Sequence, residues 1–214
     1  MSLYRLLSLH QSGSPLPVKL LDYRSNMDIT ANRSPAAIAG AARTVLRKPT
    51  GQDGIAINRL IAACPPLDQN SVYCNLLQCT DFADTCIVAE RAGRIVGWIS
   101  AYRSPKANDT LFIWQVAVHE DARGSGLAGR MLDDLLARDE CAGIARLQTT
   151  ITPDNQGSFA LFRSLAARID APFHEAAGFE SQTHFQGLHA SERLITIGPV
   201  AGSGARQRPL QSAS

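Results

Sequence analysis

LFIWQVAVHEDARGSGLA, residues 111–128, decides how the rest of the chain is read. With Thr110 it opens as TLFIWQVAV (110–118), apolar on both faces, which predicts a strand in the middle of a sheet rather than at its edge. The period then breaks at HEDARGSG and resumes as a helix. Leu127, Met131, Leu132, Leu135 and Leu136 fall on one face, with Arg130, Asp133, Asp134 and Arg138 on the other. Upstream, residues 85–90 and 94–102 flank Arg91-Ala92-Gly93 and predict a β-hairpin. Before that, Asp53 stands where a helix cap is needed, Ile57, Leu60 and Ile61 share a face, and Pro65-Pro66 ends the helix. A second, shorter helix is expected over 71–78. Downstream come a strand at 146–151, a helix at 159–169, and two strands expected within 181–197 around a polar turn at 187–191. An antiparallel meander continuing through βαβ units makes an α+β fold, a mixed central β-sheet with helices on both faces.

The flanks divide the chain. Residues 1–40 carry Ser, Pro, Asn and Gly without sustained periodicity and predict a flexible extension, 41–198 one domain, and 199–214 a flexible tail. Over all 214 residues, 45% are hydrophobic, enough for a sizeable core, which excludes wholesale disorder. Twenty-one Lys+Arg against 19 Asp+Glu, with no arginine stripe among aromatics, lacks the electrostatic footprint of a nucleic-acid binder. No apolar run approaches the roughly 20 residues of a membrane span. Leu3, Leu6, Leu7 and Leu9 are too scattered to form a signal-peptide core. Five cysteines form no CxxC pair and carry no zinc-like spacing, so neither a metal nor a disulfide framework is expected. A cytoplasmic protein is the expectation.

Chemistry concentrates in Arg123-Gly124-Ser125-Gly126-Leu127-Ala128. Two glycines let the backbone approach a ligand closely, and the helix that follows offers orphan N–H groups and the positive end of its dipole, a seat for an anion such as phosphate. There is no Gly-Lys-Ser/Thr, and the spacing is not GxGxxG, so two familiar phosphate loops are excluded. On glycines alone an ordinary βα turn is the better explanation of the loop; the WQVAV strand that ends where the loop begins shifts the balance toward a ligand.

In that setting R-G-S-G-L-A resembles the [Q/R]-x-x-G-x-[G/A] pyrophosphate motif of the GNAT acetyltransferases, placed between the fold's fourth strand and third helix. Asn155, ahead of a helix containing Ala160-Leu161-Phe162, resembles the family's second signature. CPPLDQNSVYCNLLQC (64–79), FADTCIVAE (82–90), the opening stretch and TTITPDNQGSFALF (149–162) are similar to the diaminobutyrate acetyltransferases of ectoine biosynthesis. The resemblance runs from about residue 47 to 198. It implies the GNAT fold, acetyl-CoA as donor, the N4 amine of L-2,4-diaminobutyrate as acceptor, a homodimer, and a role in ectoine synthesis and osmotic stress protection. Pyrophosphate would be held by the Arg123–Ala128 loop (Arg123, Gly124, Ser125, Gly126, Leu127 and Ala128), with pantetheine along Val116 and Val118 and its arm at Asn155.

Carried over residue by residue, the acceptor pocket comprises Asp68, Tyr73, Trp114, His189 and Glu192. Two carboxylates and an indole face suit an acceptor with two ammonium groups. Asp68 and Glu192 would hold or deprotonate the amine, and Tyr73 would donate to the departing thiolate. Each has a structural alternative. Asp68 can cap the next helix, Trp114 and Tyr73 can pack in a core, His189 and Glu192 can belong to a solvated turn, and Asn155 can start a helix. Many GNAT enzymes place a tyrosine seven residues after this asparagine; here Phe162 has no proton to give, which is why Tyr73 enters. Two other functions share the motif: acetylation of another diamine or amino acid, and a non-catalytic acyl-CoA sensor.

Overall fold

The computed structural model describes residues 43–200. The expected extension at 1–40 and most of the expected tail at 199–214 lie outside the described residues.

Among the described residues, seven strands form one sheet in the order β1-β2-β3-β4-β5-β7-β6. They are β1 (Val45–Arg47), β2 (Ile87–Arg91), β3 (Arg94–Arg103), β4 (Thr110–Val118), β5 (Arg146–Ile151), β6 (Phe173–Ala177) and β7 (Arg193–Ile197). The helices are α1 (Gly54–Ala62), α2 (Val72–Thr80), α3 (Leu127–Leu136), α4 (Gln156–Arg168) and the short α5 (Ser181–Phe185). Ala92 and Gly93, at φ 51° and 75°, turn β2 into β3 as expected of a two-residue hairpin loop. The sheet is mixed, but β4–β5 is its one parallel pair; β5–β7 and β6–β7 are antiparallel, so a single βαβ crossover replaces the several expected.

Helices cover both faces. Ile87, Ala89 and Ile99 pack with Met131, Leu132 and Leu135 of α3 and with Phe162 and Leu165 of α4. Val88 and Trp98, facing the other way, pack with Ile57, Leu60 and Ile61 of α1 and Cys79 of α2. Full burial of each such aliphatic side chain contributes about 1.5–3 kcal/mol.

Three expectations need correction. The first is Asp53, whose side chain does not cap α1. Instead it accepts two hydrogen bonds from Arg47, both at 2.8 Å, and one from the Thr50 backbone N–H at 2.7 Å, tying β1 to the turn before α1. The second is α4, which starts three residues before 159 because Asn155 accepts from the Ser158 N–H at 3.0 Å. The third is 181–197, which holds one helix and one strand rather than two strands; on the side away from β5, β7 pairs with β6, which the sequence pattern did not reveal. Local side-chain bonds explain the helix. The Glu180 N–H donates to His184 Nδ1 at 2.8 Å and the Ser181 hydroxyl to the His189 carbonyl at 2.6 Å, which turns the chain where an extended strand was expected.

Candidate active site

β4 and β5 pair only through Thr110–Arg146, Leu111–Leu147 and Phe112–Gln148. Beyond Phe112 the two strands part, and β4 continues alone on that side to Val118. The His119 N–H donates to the Val96 carbonyl at 2.9 Å, which sets the phase of the β3–β4 ladder: Val116 and Val118 turn their backbone polar groups away from β3 and into the gap. Here lies a cleft of about 510 Å³. Val116 and Val118 form one wall, Gly124, Gly126 and Ala128 its floor, and Asn155, Ser158 and Leu161 of the α4 start the far side. Gly124 and Gly126 sit at φ 70° and 72°, the left-handed region that glycine enters without strain. A Cβ on Gly124 would meet nothing within 4 Å, so its requirement is for backbone conformation rather than room.

Nearly all the expected cofactor positions meet at this cleft: Val116, Val118, Arg123, Gly124, Gly126, Leu127, Ala128 and Asn155 all line it. Ser125 does not; its hydroxyl turns to the Ala122 carbonyl at 2.7 Å and closes the loop internally. Arg123 donates from Nε to the Val118 carbonyl at 2.9 Å, so part of its role is to hold the loop against the strand end. The sequence pattern missed the opposite lip, formed by Cys64, Pro65, Pro66 and Leu67, with the Cys64 thiol donating to the same Val118 carbonyl at 3.4 Å.

A β-bulge shapes the acceptor side. Ser100 pairs with Gln115 but Ala101 with Ile113, which leaves Trp114 as an extra residue on β4. Ile113 joins the core on the α3/α4 side and Ala117 the core on the α1/α2 side, so the alternation is re-phased across the bulge. Trp114 is 48% exposed and meets Tyr102 edge-to-face at 6.5 Å, which sets aside the core alternative for the indole. Beside it, Gln115 Nε2 donates to the Asp68 carbonyl at 2.7 Å and Gln115 Oε1 accepts from Asn70 Nδ2 at 3.1 Å.

His189 Nε2 lies 3.2 Å from an Asp68 carboxylate oxygen, and Nδ1 lies 3.0 Å from the Ala190 carbonyl. Both partners are acceptors, so both ring nitrogens must carry protons for both bonds to form. The imidazolium is accordingly favoured: the Ala190 carbonyl first, then the charges of Asp68 and Glu192, raise the His189 pKa above its ordinary value. Glu192 is anchored through its backbone, its N–H donating to the Phe179 carbonyl at 2.7 Å. Thus Asp68 and His189 meet, with the Glu192 charge felt at the imidazole, and the Asp68 backbone is tied to β4 through Gln115, the residue after Trp114. Tyr73, on α2, is 70% exposed and its hydroxyl has no partner among the described residues. Phe162 is buried in the core, so the seat that a GNAT tyrosine would fill is apolar here. No group of three or more metal-binding side chains occurs among the described residues.

The sequence profile of the acetyltransferase (GNAT) family matches residues 56–166. An L-2,4-diaminobutyric acid acetyltransferase of Methylotuvimicrobium alcaliphilum is 49% identical over 154 residues, 72% of this chain and 90% of that protein. The enzyme of the same name from Halomonas elongata is 48% identical over 160 residues, 74% of this chain and 83% of its own. Among solved structures, the diaminobutyrate acetyltransferase EctA of Paenibacillus lautus, in complex with its substrate L-2,4-diaminobutyric acid and coenzyme A, superposes with a TM-score of 0.72 at 40% identity. That match covers 74% of this chain and 96% of the other. The ribosomal-protein-S18-alanine N-acetyltransferase of Escherichia coli, at 16% identity and a TM-score of 0.53, shares the fold alone. A strand that parts from its neighbour beside a two-glycine loop, and relatives alike over most of their length, lead to one assignment: the chain belongs to the GNAT acetyltransferase family, among its L-2,4-diaminobutyric acid acetyltransferases.

Proposed function

We propose that the protein transfers the acetyl group of acetyl-CoA to the N4 amine of L-2,4-diaminobutyrate, giving N4-acetyl-L-2,4-diaminobutyrate for ectoine synthesis. The observation that carries this reading is the continuity of β4: Val116 lines the cofactor cleft, while Gln115, just before it, donates to the Asp68 carbonyl, and Trp114 precedes Gln115 as an exposed indole. A thioester lying along Val116 and Val118 would put its carbonyl within reach of a β4 backbone N–H, and its acetyl carbon toward the acceptor side.

The acceptor brings two ammonium groups and one carboxylate. Asp68 and Glu192 supply negative charge for the amines, and the Trp114 face a further cation seat. The N4 ammonium has no lone pair until it loses a proton, which passes to a carboxylate, Glu192 or Asp68, directly or through water. The freed amine attacks the thioester carbon; a C–N bond forms, the nitrogen gives up its second proton to solvent, the C–S bond breaks, and the thiolate leaves and is protonated to CoA. Tyr73 is the proton donor we assign to it, its hydroxyl being uncommitted. Arg123, Gly124, Ser125, Gly126, Leu127, Ala128 and Asn155 are the groups we assign to the pyrophosphate and pantetheine arm, Ser125 through its backbone. We further assign residues 41–198 as the catalytic domain, a homodimer as the working form, the cytoplasm as its location and osmotic stress protection as its role. Among the described residues no helix is long and apolar enough to cross a membrane.

The test is CoA release from acetyl-CoA with diaminobutyrate, ornithine, lysine and spermidine, with NMR of the product to locate the acetyl group. Preference for diaminobutyrate with the acetyl group on N4 supports the proposal. Turnover confined to another amine would overturn the substrate, and acetyl-CoA binding without turnover on any of them would turn the assignment toward a sensor.

A further inference from the structure

The segment between α1 and α2 serves two ligands, and different anchors hold its two halves. The first half, residues 64–67, forms a lip of the cofactor cleft; it is fixed by the Leu67 N–H donating to the Cys64 carbonyl at 3.1 Å and by the Cys64 thiol on the Val118 carbonyl. The second half, 68–70, carries the Asp68 carboxylate and makes neither contact. Its hold comes from side-chain amides: Gln115 on the Asp68 carbonyl and on Asn70 Nδ2, and Asn58 Nδ2 on the Asn70 carbonyl at 2.8 Å. Gln115 is 8% exposed, so water does not compete freely for these bonds.

Only the β4 bulge allows this. Were Trp114 an ordinary paired position of β4, strict alternation would put Gln115 on the α3/α4 side with Ile113, away from the segment it holds. With the bulge, the ring meant for the acceptor and the amide that seats the acceptor's carboxylate partner come from consecutive residues, one Cα step of about 3.8 Å apart.

From this geometry we infer that Gln115 is a positioning residue: it sets the Asp68 carboxylate, and through Asp68 the His189 imidazolium, at a fixed distance from Trp114, and so determines affinity for the acceptor but not for acetyl-CoA. The inference rests on Asp68 belonging to the acceptor site, as proposed above. Because 64–67 is anchored separately, loss of Gln115 frees 68–70 while the cofactor lip stays in place.

Initial-rate kinetics on Gln115→Leu, Asp68→Asn and the double variant test it. Gln115→Leu is expected to raise KM for diaminobutyrate about tenfold, the weight of one or two lost hydrogen bonds, with KM for acetyl-CoA changed less than about twofold. The double variant should be no worse than Asp68→Asn alone, since the amide acts through that carboxylate. Equal rises in both KM values, or multiplying effects in the double variant, would show a merely structural amide and overturn the inference. An unchanged diaminobutyrate KM in Asp68→Asn would sink the acceptor site and the inference with it; a raised KM there beside an unchanged one in Gln115→Leu would sink the inference alone. Should Gln115→Leu fail to fold, Asn70→Ala decides, because it removes only the loop-side bond: a raised diaminobutyrate KM with acetyl-CoA unaffected supports the role, and no change in either overturns it.

Discussion

Glu192 and His189 show how much of the site depends on single side chains set by backbone contacts. Glu192 is held by its N–H on Phe179, which leaves its carboxylate free for the role proposed for it, with its charge felt at His189. Glu192→Gln should lower kcat by about 10²–10⁴, the usual weight of a general base, and leave CoA affinity within about twofold; steady-state rates and a CoA titration check both. For His189 the sign follows from its raised pKa. The pairing with Asp68 is complete below about 6.5, the ordinary histidine value, and is lost as pH rises through the raised one. The KM for diaminobutyrate should therefore climb as pH rises through that raised value, and His189→Gln should remove that step from the pH profile. Asp53 titrates in the opposite sense. Arg47 above all, then the Thr50 N–H, hold its carboxyl below the ordinary carboxylate value, so its contribution to stability is present above that value and fades as pH falls through the lowered one. Asp53→Asn should cost about 2 kcal/mol near neutrality and shrink the acid-side loss, as read by denaturant melts at stepped pH.

Among the elements, the β6–β7 unit positions Glu192, and it is the part that periodicity misread. A Cβ on Gly178, just past β6, would stand 2.6 Å from the Glu192 carbonyl oxygen and 2.9 Å from the Leu194 nitrogen. Both obstacles are backbone and cannot turn aside. Gly178→Ala should therefore destabilise the fold by about 1–3 kcal/mol and lower kcat through displacement of Glu192; circular-dichroism melts beside initial rates would show both losses together. The glycine loop has the reverse character. Gly124→Ala meets open space but a strained φ, so about 1–2 kcal/mol of strain and weaker CoA binding are expected, with the core unaltered. Elements with strong periods were legible from the chain alone: α3 from its apolar stripe, the hairpin from Ala92-Gly93, β4 from its apolar run. β6 was not, because its residues are mostly exposed and its one strand partner, β7, follows fifteen residues later. Nothing in FHEAA alternates strongly enough to declare a strand before its partner is known.

For the molecule as a whole, sedimentation analysis should return twice the mass of one chain if the homodimer assignment holds, and the single-chain mass would refute it. The sequence by itself determined the chemistry that local order can encode. A strand, two glycines and a helix in this order offer the geometry of an anion seat, and parts of the motifs at 64–79 and 149–162 line the same cleft. What only the tertiary structure decided is which distant groups meet. The bulge at Trp114 is a register fault between β3 and β4, and register belongs to a pair of strands rather than to either one. From that fault follow the exposed indole, the turn of Gln115 toward the Asp68 segment, and the meeting of Asp68 with His189 across more than a hundred residues of chain. A side chain's partner across the fold is fixed by how elements pack, and no local period carries that information.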